Sequence, residues 1–241
     1  MIQFTPVVME TREAPLAGID ELAGGGDILV LAPHPDDESL AMGGAIAAAA
    51  ATGRRVHIAV VTDGARSHPN SASHPPEALR ALRRTEVGRA VDILTEGRGF
   101  LHWLGFPDMA APADEATFAE VEARLMPVLG DVTAIWTTWN GDPHPDHQRV
   151  WRLAHWLSGR WPGVRMFACP VWGRVQTPVA GGDWQAARRF ASGPHRAAKA
   201  RAVAAHVSQM TDLIRDDPDG FRMPDDLARH FIDSDEIFIP S

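Results

Sequence analysis

Short apolar runs alternate with longer segments of helical periodicity along most of the chain. The apolar runs predict six strands, over residues 27–32, 55–62, 100–104, 132–139, 164–172 and 236–239. The periodic segments between them predict five helices, over residues 39–52, 76–94, 115–129, 148–157 and 195–209. This alternation predicts an α/β fold in which helices cover both faces of a mostly parallel sheet.

The alternation starts only after residue 26. We therefore expect residues 1–26 to form an irregular N-terminal leader that ends in Gly24-Gly25-Gly26, and residues 27–241 to form a single domain. Residues 173–193 also look irregular. Gly43-Gly44 falls inside the first predicted helix, which indicates close packing against a neighbouring element.

Composition excludes several classes of function. The net charge of −8 gives no basic surface for nucleic acid, and no apolar stretch approaches the ~20 residues of a membrane span. The single cysteine, Cys169, excludes an internal disulfide framework. The N-terminus lacks the apolar core of a signal peptide, so we expect a cytoplasmic protein. The sequence leaves the oligomeric state open, including a homo-oligomer.

Two short motifs place imidazole and carboxylate groups directly after predicted strands. They are Pro33-His34-Pro35-Asp36-Asp37-Glu38 and Pro143-His144-Pro145-Asp146-His147. Ligand sites in open α/β sheets lie at the carboxyl ends of strands, so two neighbouring strand ends could bring these motifs together. Asp and Pro are also common at helix starts, but two matching motifs with histidines favour function over capping.

His34, Asp37 and His147 are suited to hold a catalytic zinc ion, which takes three protein ligands and leaves a fourth position to water. Asp36 would then stand beside the metal as the general base, although the residues alone do not decide between Asp36 and Asp37 as ligand. His144 could stabilise the developing oxyanion as a cation, with Asp146 keeping its imidazole protonated.

These motifs resemble the two signature motifs of the LmbE-like, or PIG-L, N-acetylglucosaminyl deacetylases. Weaker similarities extend over nearly the whole chain after residue 26, in Thr62-Asp63-Gly64, Arg83 with Glu86, Leu104-Gly105-Phe106-Pro107-Asp108, Lys199, His206, Ser208 and Gln209. The resemblance implies a Rossmann-like fold and one catalytic zinc held by His34, Asp37 and His147. It further implies Asp36 as the base and His144 as the electrophilic or acid group, with Asp146 behind it.

The resemblance also implies that Arg83 and Asp108 contact the sugar part of the substrate. The alternative for Arg83 is a surface salt bridge to Glu86 or another neighbour. Some members use a mobile tyrosine near the site, and this chain contains no tyrosine. Four tryptophans lie at predicted strand ends, where core packing is favoured over stacking on a sugar: Trp103, Trp136, Trp139 and Trp172.

The function we expect is zinc-dependent hydrolysis of an N-acetyl group from an amino sugar or glycoconjugate, with a small N-acylated sugar as the binding partner. One alternative is an amidase acting on a larger N-acyl group or a thiol conjugate. Another is a non-catalytic sugar-binding protein on the same scaffold, although binding alone needs no base such as Asp36. The chain has neither the P-loop motif nor the serine-hydrolase G-x-S-x-G motif.

Overall fold

The computed structural model describes residues 4–241. Within them, seven strands form one sheet: β1 (Asp27–Ala32), β2 (Val56–Thr62), β3 (Phe100–Phe106), β4 (Val132–Thr138), β5 (Arg165–Cys169), β6 (Arg188–Phe190) and β7 (Glu236–Pro240). The helices are α1 (Pro6–Glu10), α2 (Ile19–Ala23), α3 (Asp37–Ala51), α4 (Pro76–Thr95), α5 (Glu115–Leu129), α6 (Pro145–Ser158), α7 (Arg196–Ala205), α8 (Val207–Met210) and α9 (Asp225–Asp233).

The sheet has the order β3-β2-β1-β4-β5-β7-β6. The first five strands in this order pair in parallel, and β7 pairs antiparallel with both β5 and β6. The prediction of a mostly parallel sheet is confirmed. Chain order reverses between β1 and β4, and a crevice for ligands opens at such a switch point, outside the carboxyl ends of the strands.

The core has a layer on each face of the sheet, because side chains of a strand alternate between its two faces. Ile28 and Val30 of β1 pack with residues of α3, α4, α7 and α9, whereas Leu29 and Leu31 pack with residues of α5 and α6. Helices therefore cover both faces, as predicted. Every helix within residues 4–241 is too short or too polar to cross a lipid bilayer.

The expectation of an irregular leader is wrong for the part that the structure describes. Helices α1 and α2 lie within it, and Val7 and Leu22 are fully buried. The amide of Thr5 donates to Arg174 O at 3.0 Å, and the amide of Ala17 donates to Arg189 O at 2.8 Å. The leader therefore packs on distant, C-terminal parts of the chain, which its local sequence did not indicate. Residues 1–3 lie outside the described residues.

Gly43 and Gly44 allow α3 to approach its neighbours closely, as their position predicted. A Cβ on Gly44 would lie 2.3 Å from the Cβ of Ser192. The same contact region contains a buried ion pair, in which Lys199 Nζ donates to Glu236 Oε1 at 2.6 Å. Glu236 also accepts from the amides of Gly44 and Ala45, so it joins β7 to α3 and α7.

The C-terminal third differs most from the prediction. The single helix expected over residues 195–209 is interrupted at His206, whose φ of −81° and ψ of 59° are not helical. The region 173–193, expected to be irregular, contains the short strand β6. Helix α9 was not predicted, although its apolar residues Leu227 and Phe231 recur at helical spacing and are buried.

Candidate active site

The two histidine motifs meet at the switch point between β1 and β4. His34, Asp36 and Asp37 lie in the turn from β1 into α3, and His144 and His147 lie at the start of α6, after β4. The rings of His34 and His147 have centroids 5.4 Å apart. Because β1 and β4 are adjacent parallel strands, their carboxyl ends bring together residues more than one hundred positions apart.

The turn after β1 holds Asp36 in a backbone conformation that L residues rarely adopt, with φ at 152°. Its amide donates to Glu38 Oε2 at 3.0 Å, and its Oδ2 accepts from Arg83 Nη2 at 3.1 Å. Arg83 also donates to Pro35 O at 2.8 Å. Such backbone strain persists only where surrounding contacts over-determine it, and it is frequent at functional sites.

The three predicted metal ligands contact one another. Asp37 Oδ2 lies 3.3 Å from His34 Nδ1 and 3.4 Å from His147 Nε2. All three side chains are buried, and His147 Nε2 lacks a hydrogen-bond partner among residues 4–241. His34 Nε2 makes no well-aligned hydrogen bond within that range either, but carboxylate oxygens of Asp146 and Asp108 lie 3.4 Å and 3.5 Å from it. A buried imidazole nitrogen without a partner is unfavourable unless something else binds it. The donor set of two imidazoles and one carboxylate fits a divalent cation such as zinc.

Asp142 orients His147, and sequence reasoning missed it. Its Oδ2 lies 2.8 Å from His147 Nδ1, so the opposite nitrogen of that ring faces the site. Its two carboxylate oxygens also accept from the amides of Val171 at 3.0 Å and Gly173 at 2.7 Å. A carboxylate behind a histidine is the usual support of a metal-binding imidazole. In the sequence, Asn140-Gly141-Asp142-Pro143 indicates only a turn.

The charges around the site favour a cation. Burial acts to lower the pKa of His147, but Asp37 and Asp142 raise it to about 9. Burial also lowers the pKa of His34. The carboxylates of Asp108, Asp146 and Asp37 outweigh this effect and hold the pKa of His34 well above its ordinary value. A site whose negative potential attracts protons this strongly attracts a metal cation by the same electrostatics.

Asp146 does not contact the His144 ring with its carboxylate, contrary to the prediction. Its oxygens accept from the amides of Met109 at 2.7 Å and Ala111 at 3.1 Å and from Arg149 Nη1 at 3.0 Å. One of them lies 3.4 Å from His34 Nε2. Asp146 therefore fixes the loop after β3 against the site, and in the process holds Met109 in a left-handed backbone conformation with φ at 70°.

His144 is the N-cap of α6, and its Nδ1 accepts from the amide of Asp146 at 3.2 Å. A ring nitrogen that accepts a hydrogen bond carries no proton, so this imidazole is neutral and has its proton on Nε2. Burial together with the neighbouring His34 and His147 lowers the pKa of His144 to about 4. The carboxylate of Asp146 thus does not support a cationic His144, contrary to the expectation, and the contact of the ring with the Asp146 amide favours its neutral form.

Arg83 is buried and does not pair with Glu86, so the alternative of a surface salt bridge is wrong. In addition to its two contacts in the turn after β1, it donates to Gly64 O at 2.9 Å. Glu86 instead accepts from the amide and hydroxyl of Ser208, both at 2.7 Å. Asp108 is nearly buried, accepts from the amide of Arg66 at 3.0 Å and lies 3.5 Å from His34 Nε2.

The carboxylate of Asp36 lines a pocket and makes no ion pair with a histidine ring in the described part of the chain. Burial raises the pKa of Asp36 to about 6, against the lowering effect of Arg83. The neighbouring Glu38 is fully buried and lies 3.0 Å from His206 Nε2. The pocket has a volume of about 350 Å³, and Asp36 lines it together with His34, Asp37, Asp108 and His144.

Comparison with known proteins identifies relatives. The model of the family PIG-L, described as GlcNAc-PI de-N-acetylase, matches residues 29–156, which include both histidine motifs. The 1D-myo-inositol 2-acetamido-2-deoxy-α-D-glucopyranoside deacetylase of Rhodococcus jostii (strain RHA1) is 26% identical over 220 residues, which cover 82% of this chain and 69% of that protein.

Two solved structures share the fold. N,N'-diacetylchitobiose deacetylase from Pyrococcus horikoshii superposes with a TM-score of 0.69 at 18% identity, covering 98% of this chain and 90% of that one. The 4-carboxy-2-hydroxymuconate hydratase GalB from Pseudomonas putida KT2440 gives a TM-score of 0.63 at 18% identity, covering 86% and 83%. At this identity the likeness concerns the fold alone. With a family model that spans more than half of its residues, the chain belongs to the PIG-L family of deacetylases.

Proposed function

We propose that the protein is a zinc-dependent hydrolase that removes an N-acetyl group from an amino sugar or glycoconjugate. The observation that carries the proposal is the convergence of His34 Nδ1 and His147 Nε2 on one oxygen of Asp37, at 3.3 Å and 3.4 Å, beside a pocket that Asp36 also lines. His147 Nε2 is buried and has no hydrogen-bond partner among residues 4–241. The family membership and the deacetylase relatives support the same reaction.

We assign His34, Asp37 and His147 as the residues that hold the metal. A bound zinc ion would polarise the amide carbonyl and increase the acidity of water. Two other sets of three side chains have atoms close enough to share an ion. One contains His34, His144 and His147, but His144 Nδ1 already accepts from the Asp146 amide. The other contains His34, Asp108 and Asp146. We do not assign the metal to that group, because both oxygens of Asp146 already accept hydrogen bonds from amides and from Arg149.

Asp36 acts as the general base. It takes a proton from the attacking water as the water oxygen bonds to the carbonyl carbon. Asp36 then returns this proton to the nitrogen as the carbon–nitrogen bond breaks. The products are acetate and a free amine. We assign Arg83 to the positioning of Asp36 rather than to the sugar, because its guanidinium donates to Asp36, Pro35 and Gly64. Asp108 remains available at the pocket for a substrate hydroxyl.

His144 donates its Nε2–H to the oxygen that becomes negative as water adds to the carbonyl. A preorganised donor at such a position contributes roughly 2.7–4 kcal/mol of transition-state stabilisation. A neutral donor serves this purpose without the cost of holding a second positive charge beside a metal. The chain has no tyrosine that could share the task.

The test is release of a free amine from a panel of N-acetylated amino sugars, with zinc content measured on the same sample. Amine release should stop on chelation and return with zinc. His147→Ala should lose both metal and activity, whereas His155→Ala, an exposed histidine on the same helix, should keep both. A His147→Ala protein with full metal content would refute the ligand assignment.

The hydratase among the structural relatives shows that this fold also supports reactions other than amide hydrolysis, since a fold does not determine a reaction. The assay therefore includes an unsaturated hydroxy acid and follows its hydration. Hydration without amine release from any N-acetylated sugar would replace the proposed function.

A further inference from the structure

The pocket beside Asp36 has a second, apolar side. Trp172, Phe221 and Met223, which we call the apolar wall, line it, as do Leu40 and Met109. The polar side chains of Ser67, Gln209 and Asp219 also line the pocket. A sugar hydroxyl placed against the apolar wall would lose its hydrogen bonds to water and gain none. The group that fits this side of the pocket is therefore apolar.

The apolar wall has a defined geometry. The rings of Trp172 and Phe221 meet edge to face, with centroids 5.7 Å apart and planes at 84°. Trp172 precedes Gly173, whose amide donates to Asp142 Oδ1 at 2.7 Å. The carboxylate that orients a proposed metal ligand thus also fixes the start of the wall. Met223 is 1% exposed and anchors the other end, where its amide donates to Gln209 O at 2.8 Å.

Phe221 is held in place by contacts between residues 211–223 and the loop of residues 65–73, which we call the clasp. Its amide donates to Ser67 O at 2.6 Å. Asp217 accepts from the amide of Asn70, and Asp216 accepts from the amides and hydroxyls of the loop near Ser73. A Cβ at position 220 would lie 2.2 Å from the ring of His68, so only glycine allows this approach.

Core packing alone does not account for this arrangement. Trp172 and Phe221 pack against the main core cluster on one side, yet both remain partly exposed and border the cavity. Trp103, Trp136 and Trp139, the other tryptophans near strand ends, do not line this pocket, and Trp136 and Trp139 are almost fully buried. The prediction of core packing is confirmed for all four tryptophans, and Trp172 alone of them also borders the pocket.

We propose that the substrate is an N-acylated amino sugar that also carries an apolar group at least the size of an aromatic ring, and that Phe221 and Trp172 select for this group. The proposal rests on the proposed amide hydrolysis and specifies its substrate. The apolar group has two chemical sources, an aglycone on the sugar or an acyl chain longer than acetyl, and both present the same surface to the wall.

The experiment measures amine release and compares kcat/KM within two substrate series. One series keeps the N-acetyl group and changes the glucosamine glycoside from methyl to phenyl. The other keeps the methyl glycoside and lengthens the acyl group from acetyl to hexanoyl. Since one methylene in an apolar pocket changes kcat/KM by about 10- to 200-fold, a preference of at least about 10-fold is expected in one series. The series that shows it identifies the source.

Phe221→Ala should reduce that preference to within about threefold, and Trp172→Leu provides a second variant with a smaller change of volume. Phe100→Ala is the matched control, because Phe100 is 45% exposed at the start of β3, away from the carboxyl ends of the strands. Folding of each variant is checked by circular dichroism.

The outcomes separate the two proposals. Hydrolysis of the methyl N-acetyl glycoside without any preference for the apolar substrates would overturn the apolar subsite and leave the proposed function intact. A preference that survives both Phe221→Ala and Trp172→Leu would also overturn it. Failure to release amine from every substrate, with zinc bound, would instead overturn the proposed function.

Discussion

Replacing Asp142 by Asn should weaken metal binding about 10- to 100-fold, the usual effect of removing the partner behind a metal-binding histidine. This corresponds to about 1.4–2.8 kcal/mol of binding free energy. Asp142 is fully buried and supplies acceptors to three groups: His147 Nδ1 and the amides of Val171 and Gly173. Asparagine has one acceptor oxygen, so its NH₂ group must face a donor on at least one side.

Loss of the contacts of Asp142 with the backbone amides and loss of its contact with His147 are measured by different experiments. A donor left unsatisfied in the interior costs about 1–3 kcal/mol of folding stability, which chemical denaturation of the metal-free protein measures. Loss of the contact to His147 appears instead as a higher Kd for zinc, measured by competition with a chelator. Activity should return when zinc is supplied in excess of the new Kd, because Asp142 touches neither the substrate nor Asp36.

Asp114→Asn is the matched control, since Asp114 is an exposed N-cap of α5 and Asn caps a helix equally well. It should leave the Kd for zinc unchanged. If Asp142→Asn keeps the wild-type Kd for zinc and loses only stability, then Asp142 only stabilises the backbone at Val171 and Gly173. His147 would then bind zinc without any help from the Asp142 carboxylate.

Three further outcomes follow from the site and the clasp. Asp36→Asn should keep its zinc and lose about 10²–10⁴-fold in activity, and near-normal turnover of the zinc-loaded variant would move the base elsewhere. His144→Asn keeps an N-cap but removes the Nε2–H donor, so kcat should fall strongly while the melting temperature stays close to wild type; a parallel loss of both would mark His144 as a capping residue only. Hydrogen bonds from the Ser73 amide and from the Ser71 and Ser73 hydroxyls hold the pKa of Asp216 well below its ordinary value. The ionised Asp216 carboxylate therefore stabilises the fold above about pH 3.9, and this stabilisation is lost as the pH falls through the folded-state pKa. The difference in unfolding free energy between wild type and Asp216→Asn should therefore be constant from pH 7 to pH 5 and shrink below about pH 4, and a difference that grows on acidification would contradict this sign.

The sequence was sufficient for the parallel part of the sheet and for the strand ends at which His34, Asp37 and His147 lie. Hydrophobic runs with helical segments between them predicted a mostly parallel sheet, because strands and helices of this kind can be recognised from local periodicity alone. His34, Asp37 and His147 could be located for the same reason, since each lies just after a strand that the pattern defines. The structure brings these three side chains into contact.

The hydrogen-bond partners could not be predicted, because they depend on contacts between distant segments. Arg83 on α4 reaches the turn after β1, and Glu86, one helical turn further on, reaches Ser208. Asp142 has the sequence context of an ordinary turn residue. His144 shows the opposite difficulty, since its residue type suits both a helix cap and a donor in the site. In the structure its ring caps α6 and also lines the pocket.

The proposed apolar wall and the proposed hydrolytic groups lie in different parts of the chain. Residues 29–156, the part that matches the family, contain every residue proposed to hold zinc or transfer a proton, whereas Trp172, Phe221 and Met223 lie after it. Exchange of residues 211–223 together with the loop of residues 65–73 should therefore change the proposed substrate preference through Phe221 and Met223, while Trp172 and the residues proposed to hold zinc stay in place.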